Sequence, residues 1–161
     1  YASEIIGLDV QAVGLVFSGA ALVDMLMFIP AGYVMDRFGR KHAIVPSFLL
    51  QGMGLAAIPL TDSFTGLLCI CLVVGIGNGL GSGSMMTLGA DLAPRQALGE
   101  FLGIWRLIGD TGSTAGPLLV GIVASAVSLP LSTVLAGGFS FCAAAMFALY
   151  VPETLPRGKP K

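Results

Sequence analysis

Five long apolar stretches separated by short polar breaks constrain this chain more than any other feature of its sequence. A helix crossing the hydrocarbon core of a bilayer needs roughly 20 mostly apolar residues. The stretches run from about Val10 to Met35, His42 to Leu60, Phe64 to Ala90, Ala97 to Ala126 and Leu129 to Val151. Each is long enough. The breaks carry turn chemistry: Asp36 to Lys41 is a charged link, and Asp91 to Arg95 includes Pro94. Thr61, Asp62 and Ser63 form a polar turn able to cap the next helix. The break near Val127 and Ser128 is the least marked. Several runs are rich in Val and Ile, yet a barrel strand would alternate over about 10 residues. These runs are longer, glycine-dense and do not alternate. The expected fold is an all-α membrane protein.

Composition supports lipid as the solvent. Of 161 residues, 55% are hydrophobic and only 11% charged, with a mean hydropathy of +0.91. A soluble domain carries about 25% charged residues. The formal net charge of -1 gives no reason to expect a nucleic acid partner. Cys69, Cys71 and Cys142 lie in apolar runs, are odd in number and match no zinc spacing, so they are read as small core residues. No cofactor and no metal is expected. Glu4 and Asp9 precede the first stretch, where a signal peptide would be basic; with Tyr1 at its head, the chain is expected to lack its native start.

The cations test the segment assignment. Arg37, Arg40 and Lys41 lie between the first and second stretches, Arg95 between the third and fourth, and Arg157, Lys159 and Lys161 after the fifth. The other links and the N-terminal segment contain no Lys or Arg, and only Arg106 sits inside a stretch. Basic residues concentrate on cytoplasmic loops. Five crossings satisfy that rule with the N-terminus outside and a cytoplasmic tail at 152–161.

The first basic loop holds Gly32, Asp36, Arg37, Gly39, Arg40 and Lys41 at fixed spacing. It resembles the signature loop of the major facilitator superfamily, G-x-L-x-D-R-x-G-R-K/R, departing only at Val34. Gly32 would let the helix end approach a neighbour, and Gly39 would permit a tight turn. Asp36 could face a helix N-terminus or pair with Arg40. The resemblance implies a charge relay at the cytoplasmic gate, joining Asp36 and Arg40 to an acid that ends a neighbouring span. Asp91 is similar to that partner. A generic positive-inside loop would need the cations but not Asp36 or the glycines.

The fourth stretch resembles the antiporter motif of the same superfamily, G-x8-G-x3-G-P-x2-G-G, through Gly103, Gly112, Gly116, Pro117 and Gly121, with Val120 departing. Gly112 and Gly116 lie about one turn apart and would open a groove for a neighbouring helix. Pro117 would bend the span. A plain packing face with a kink accounts for the same residues. Pro152, Glu153 and Thr154 are similar to the P-E-T segment closing six-helix halves in sugar-porter-like members.

Halves in this superfamily contain six helices, built as two inverted triplets. Five spans running out to in match a half that lacks its first helix, and the expected partner is the other half of the same transporter. The second half is favoured, from the segment Asp91 to Asp110 and the position of Glu153; parity fits either half.

Ionisable groups inside spans are costly and usually face a partner or a wet cavity. Asp24 lies mid-span, about 18 Å from Asp36 at 1.5 Å per residue. Asp110 is also near mid-membrane, with Arg106 one turn before it on the same face. The pair is read either as a substrate-anchoring or proton-coupling site, or as a salt bridge locking span four to its neighbours. Asp24 leans to coupling, and Asn78 to a helix–helix hydrogen bond or the same polar path. Gly75, Gly77, Gly79, Gly81 and Gly83 fit no nucleotide loop and read as close packing. Met25, Met27, Met85 and Met86 read as lipid-facing packing or an adaptable pocket floor, and Trp105 as an interface anchor or path lining. The sequence contains no hydrolytic or redox constellation.

The expectation is a secondary active transporter of a small molecule, working by alternating access with proton-coupled efflux or antiport, in the cell's inner or plasma membrane or an organelle's. A sugar- or metabolite-type symporter or uniporter is the alternative. A receptor or assembly subunit on the same fold, or a polytopic membrane enzyme, is the rival of another class.

Overall fold

A computed structural model describes residues 1–154. Arg157, Lys159 and Lys161, and with them most of the tail, lie outside the described residues. The chain forms α1 (Val10–Phe38), α2 (Lys41–Ala57, extended by a 3-10 turn at Ile58–Leu60), α3 (Phe64–Leu92), α4 (Leu98–Ala126) and α5 (Leu129–Tyr150). All five are long and apolar enough to cross a membrane.

Side-chain caps start three of these helices. The Asp9 carboxylate accepts from the Ala12 N–H at 2.8 Å, Ser63 Oγ from Gly66 N–H at 3.3 Å, and Ser128 Oγ from Leu131 N–H at 3.3 Å. Each satisfies a backbone donor that a helix N-terminus leaves open. The first helix runs past Met35 to Phe38, so Asp36 and Arg37 belong to its last turn. It closes at Gly39, whose N–H bonds the Met35 carbonyl at 3.2 Å. His42 belongs to the first turn of α2 rather than to a loop.

The helices pack in the order α1, α3, α2, α5, with α4 leaning on α5 and touching α3 lightly. Glycine sets the closest approaches. Residues two apart on a helix project to nearly opposite sides, so the alternating glycines of α3 serve two neighbours. A Cβ on Gly75 would lie 2.5 Å from the Ala20 carbonyl oxygen, and one on Gly79 would run into the Asp24 carbonyl oxygen of α1. A Cβ on Gly77 would lie 2.9 Å from the Ser47 carbonyl oxygen, and one on Gly81 2.6 Å from Ser47 Oγ of α2. Each pair is spaced i, i+4, so α3 carries two small-residue grooves. With no hydrophobic drive between helices in lipid, such van der Waals contact holds them together. Gly52 and Gly137 make the same kind of crossing between α2 and α5.

Gly79→Val forces α1 off α3 and lowers stability by about 1–3 kcal/mol, the usual cost of overpacking. Gly83→Ala meets only the Met35 Cε at 3.9 Å and leaves stability essentially unchanged. Detergent melting curves of the full-length protein check both; equal melting temperatures would reject this account of the glycines.

Two sequence expectations fail here. Cys69 and Cys142 are exposed rather than core residues, because they fall on helix faces that no neighbour in this chain covers. The fourth helix has no buried residue at all. A Cβ on Gly103, Gly112, Gly116 or Gly121 would meet nothing within 4 Å. The groove expected at Gly112 and Gly116 is therefore unfilled: both glycines line a cavity across which α5 faces them without contact. The helix continues through Pro117 without a break.

Candidate functional site

The helix ends around the signature loop converge on Arg40. Its Nε donates to Asp91 Oδ2 at 2.8 Å, and its Nη1 donates to the Met35 carbonyl at 3.1 Å. Asp36 Oδ1 stands 3.8 Å from Nη1. The Arg40 side chain is 12% exposed, against 27% for Asp91 and 82% for Asp36. The strong member is therefore Arg40–Asp91, a short charge-assisted bond between the ends of α2 and α3. The Asp36 contact is long and wet, and such pairs contribute about 0–1 kcal/mol. Asp36→Asn should thus move the melting temperature far less than Asp91→Asn; a larger shift from Asp36 would reverse this ranking.

Glu153, just past α5, completes the cluster. Its Oε1 accepts from Arg40 N–H at 2.8 Å and its Oε2 from Lys41 N–H at 3.1 Å, with His42 Nδ1 3.7 Å away. The second helix has no side-chain cap of its own. A carboxylate from the far end of the chain thus satisfies two open donors and faces the positive end of the helix dipole. Gly39 makes room for it. It adopts φ 110°, a backbone conformation that disfavours any residue with a side chain, and a Cβ there would collide with the Glu153 carboxylate. Thr154 Oγ1 donates to Asp91 Oδ2 at 2.9 Å. The cluster therefore ties together the ends of α1, α2, α3 and α5.

Not every motif residue joins it. Arg37 turns away: its Nη1 donates to Tyr33 Oη at 2.6 Å, and its guanidinium lies 5.7 Å from the Tyr33 ring centroid and 6.0 Å from that of Phe38. Lys41 takes part through its backbone N–H. A Cβ on Gly32 would meet nothing within 4 Å, so the close approach expected there is not made within this chain.

Within the spans, the structure brings Asp24 and Asn78 together. Asn78 Nδ2 donates to Asp24 Oδ2 at 3.1 Å. Gly79 permits this, because its missing side chain lets α3 press against the Asp24 backbone. The other carboxylate oxygen, Oδ1, is buried without a hydrogen-bond partner among the described residues. Buried polar atoms are normally paired, and an exception calls for an explanation.

Arg106 and Asp110 form a separate site. Arg106 Nε lies 3.6 Å from Asp110 Oδ2, with side chains 71% and 69% exposed. That is an ion pair, too long for a hydrogen bond. Both groups belong to α4, so among the described residues the pair links no helix to another. The two residues open onto a cavity of about 540 Å³ between α3 and α4, which Met85, Met86 and Trp105 also line. Trp105 packs on the α3 backbone: a Cβ on Gly89 would lie 2.8 Å from its Nε1. An apolar cavity of about 380 Å³ separates α4 from α5.

Comparison with known proteins gives these sites a context. The family model described as Major Facilitator Superfamily matches residues 1–161. An uncharacterized MFS-type transporter of Methanocaldococcus jannaschii is 26% identical over 140 residues, 87% of this chain and 35% of the relative. Human solute carrier family 2, facilitated glucose transporter member 12, is 25% identical over 138 residues, 86% of this chain and 20% of the relative. The arabinose-proton symporter of Bacillus subtilis is 26% identical over 102 residues, 63% of this chain and 22% of the relative. The chain therefore spans about a third or less of these relatives' lengths, and each of them is named as a transporter. With five helices fit to cross a bilayer and a family match along its whole length, this is an integral, multi-pass membrane protein that belongs to the Major Facilitator Superfamily.

Proposed function

We propose that the chain is part of a secondary active transporter that moves a small molecule by alternating access, coupled to protons, in the direction of efflux by antiport. The observation that carries proton coupling is Asp24, whose Oδ1 is buried without a donor beside Asn78. An uncompensated charge at such depth is costly. Taking a proton on Oδ1 removes the charge, and losing it again links the protonation cycle to the contact between α1 and α3. The Arg40 cluster serves as a latch at the cytoplasmic face, because opening that face must separate helix ends it holds together. Arg106 and Asp110 serve as the substrate site. In this reading the N-terminus lies outside, Arg40 lies in the cytosol, and the partner is the other half of the same protein in the cell's inner or plasma membrane. The B. subtilis relative named an arabinose-proton symporter favours a second reading, in which the proton and the solute move together.

Full-length protein in proteoliposomes with an imposed pH gradient tests this. A bound solute should discharge the gradient, and the sign of the accompanying solute movement separates antiport from symport. Solute flux that neither responds to the gradient nor dissipates it would remove proton coupling. Absence of any flux for solutes the protein binds would remove transport itself.

A further inference from the structure

The cavity between α3 and α4 is unbalanced in hydrogen-bonding character. Ser82 donates its hydroxyl proton to the Asn78 carbonyl at 2.9 Å, and Ser113 donates its own to the Gly109 carbonyl at 3.1 Å. Each hydroxyl therefore offers the cavity only lone pairs. The Asp110 carboxylate is an acceptor as well, held only by the 3.6 Å ion pair. The Trp105 indole N–H edge lies against α3 at Gly89. The remaining charged donor is Arg106. The cavity thus presents three acceptors and one guanidinium beside a wall of thioether and indole.

We propose that this cavity binds a small zwitterion with an apolar body. The ammonium group sits among Asp110, Ser82 and Ser113, the carboxylate on Arg106, and the apolar body against Met85, Met86 and Trp105. The assignment rests on the transporter reading and deepens it. Ligand charge is decisive. An organic anion would satisfy Arg106 but face Asp110, and an organic cation would do the reverse; each leaves one site charge unpaired, which is costly once water is displaced. A zwitterion answers both and replaces the loose 3.6 Å pair with two ligand contacts. A sugar could donate to the three acceptors and accept from Arg106, but it carries no charge to set against Asp110 or Arg106. Methionine and indole suit an apolar or aromatic body. The volume of about 540 Å³ lies within the roughly 300–1,000 Å³ range of small-molecule sites.

Calorimetric binding to the purified full-length protein tests the proposal with four probes: L-phenylalanine, phenethylamine lacking the carboxylate, 3-phenylpropionate lacking the amine, and L-arabinose. L-Phenylalanine should bind at least about tenfold more tightly than each of the others, since every other probe leaves Arg106, Asp110 or both without a ligand counter-charge. Arg106→Gln should level L-phenylalanine with phenethylamine, and Asp110→Asn should level it with 3-phenylpropionate. The wild-type series stands alone if either variant fails to elute as a single species. Tighter binding of arabinose, parity of phenethylamine with L-phenylalanine in the wild type, or no binding of any amine-bearing probe would overturn the zwitterion. A protein that still discharges a pH gradient with another solute would keep the transporter reading while losing this one.

Discussion

Asp24→Asn collapses proton-driven accumulation to unity while solute exchange at equal pH on both sides persists. Asparagine keeps the shape of the aspartate and can still meet Asn78, whose Nδ2 lies 3.1 Å from Oδ2. It cannot take up or release a proton. A charge near the middle of a span costs about 2.5–3.5 kcal/mol. On the proposed reading the wild type passes a proton through Oδ1 in each cycle; in the variant the site is neutral throughout and the gradient has nothing to act on. With one proton per cycle, a gradient of about one pH unit supports at most about tenfold accumulation, and the variant should reach none. Accumulation that survives the substitution would move coupling to Asp110 or out of this chain.

Arg40→Ala should produce the largest loss of stability among the loop variants. Removing the guanidinium strips Asp91 of its charged partner, leaving it the Thr154 hydroxyl, and takes from the Met35 carbonyl one of its two donors, the other being Gly39 N–H. Hydrogen bonds to charged groups contribute about 1.5–3 kcal/mol, so a loss of about 2 kcal/mol is expected. Arg40→Lys should not restore it. One ammonium cannot reach Asp91 and the Met35 carbonyl in the two directions that Nε and Nη1 now take. The pair with Asp91 can be isolated by a double-mutant cycle: Asp91→Asn added to Arg40→Ala should cost little more than the first change alone. Additive losses would mean that the two residues act separately. Transport should slow as well if, as proposed, this cluster latches the cytoplasmic face.

The spans were legible because one signal dominated. Length and hydropathy mark all five helices, and the cap at Ser63 reflects local chemistry that a sequence displays, whereas Ser128 sits at the least marked break and its cap is seen only in the structure. The acidic partner of Arg40 was also legible, since Asp91 closes a span that must end on the same side as the loop. Glu153 was harder to read. A hint existed in α2, which opens on Arg40, Lys41 and His42 with no residue able to cap it. Three basic residues at a bare helix N-terminus call for an anion from elsewhere, and sequence spacing does not say from where. Asp24 and Asn78 were each conspicuous, but their contact depends on how α3 rotates against α1. That rotation is fixed by which of five closely spaced glycines faces which neighbour, and the string reads the same in either register. The face presented by α4 was illegible for another reason: α5 faces Gly112 and Gly116 only across a cavity, so no close contact fixes how the helix is turned.

The Glu153 cap also has a consequence for biogenesis. The donor at Arg40 and its acceptor lie 113 residues apart, so the turn after α1 leaves the ribosome long before the group that closes it. At about 5–20 residues per second, the delay is on the order of 10 seconds. During that interval the α2 N-terminus must be held by water or lipid phosphate. Closure of that turn therefore waits for α5, so the contact registers that α1, α2, α3 and α5 have come together.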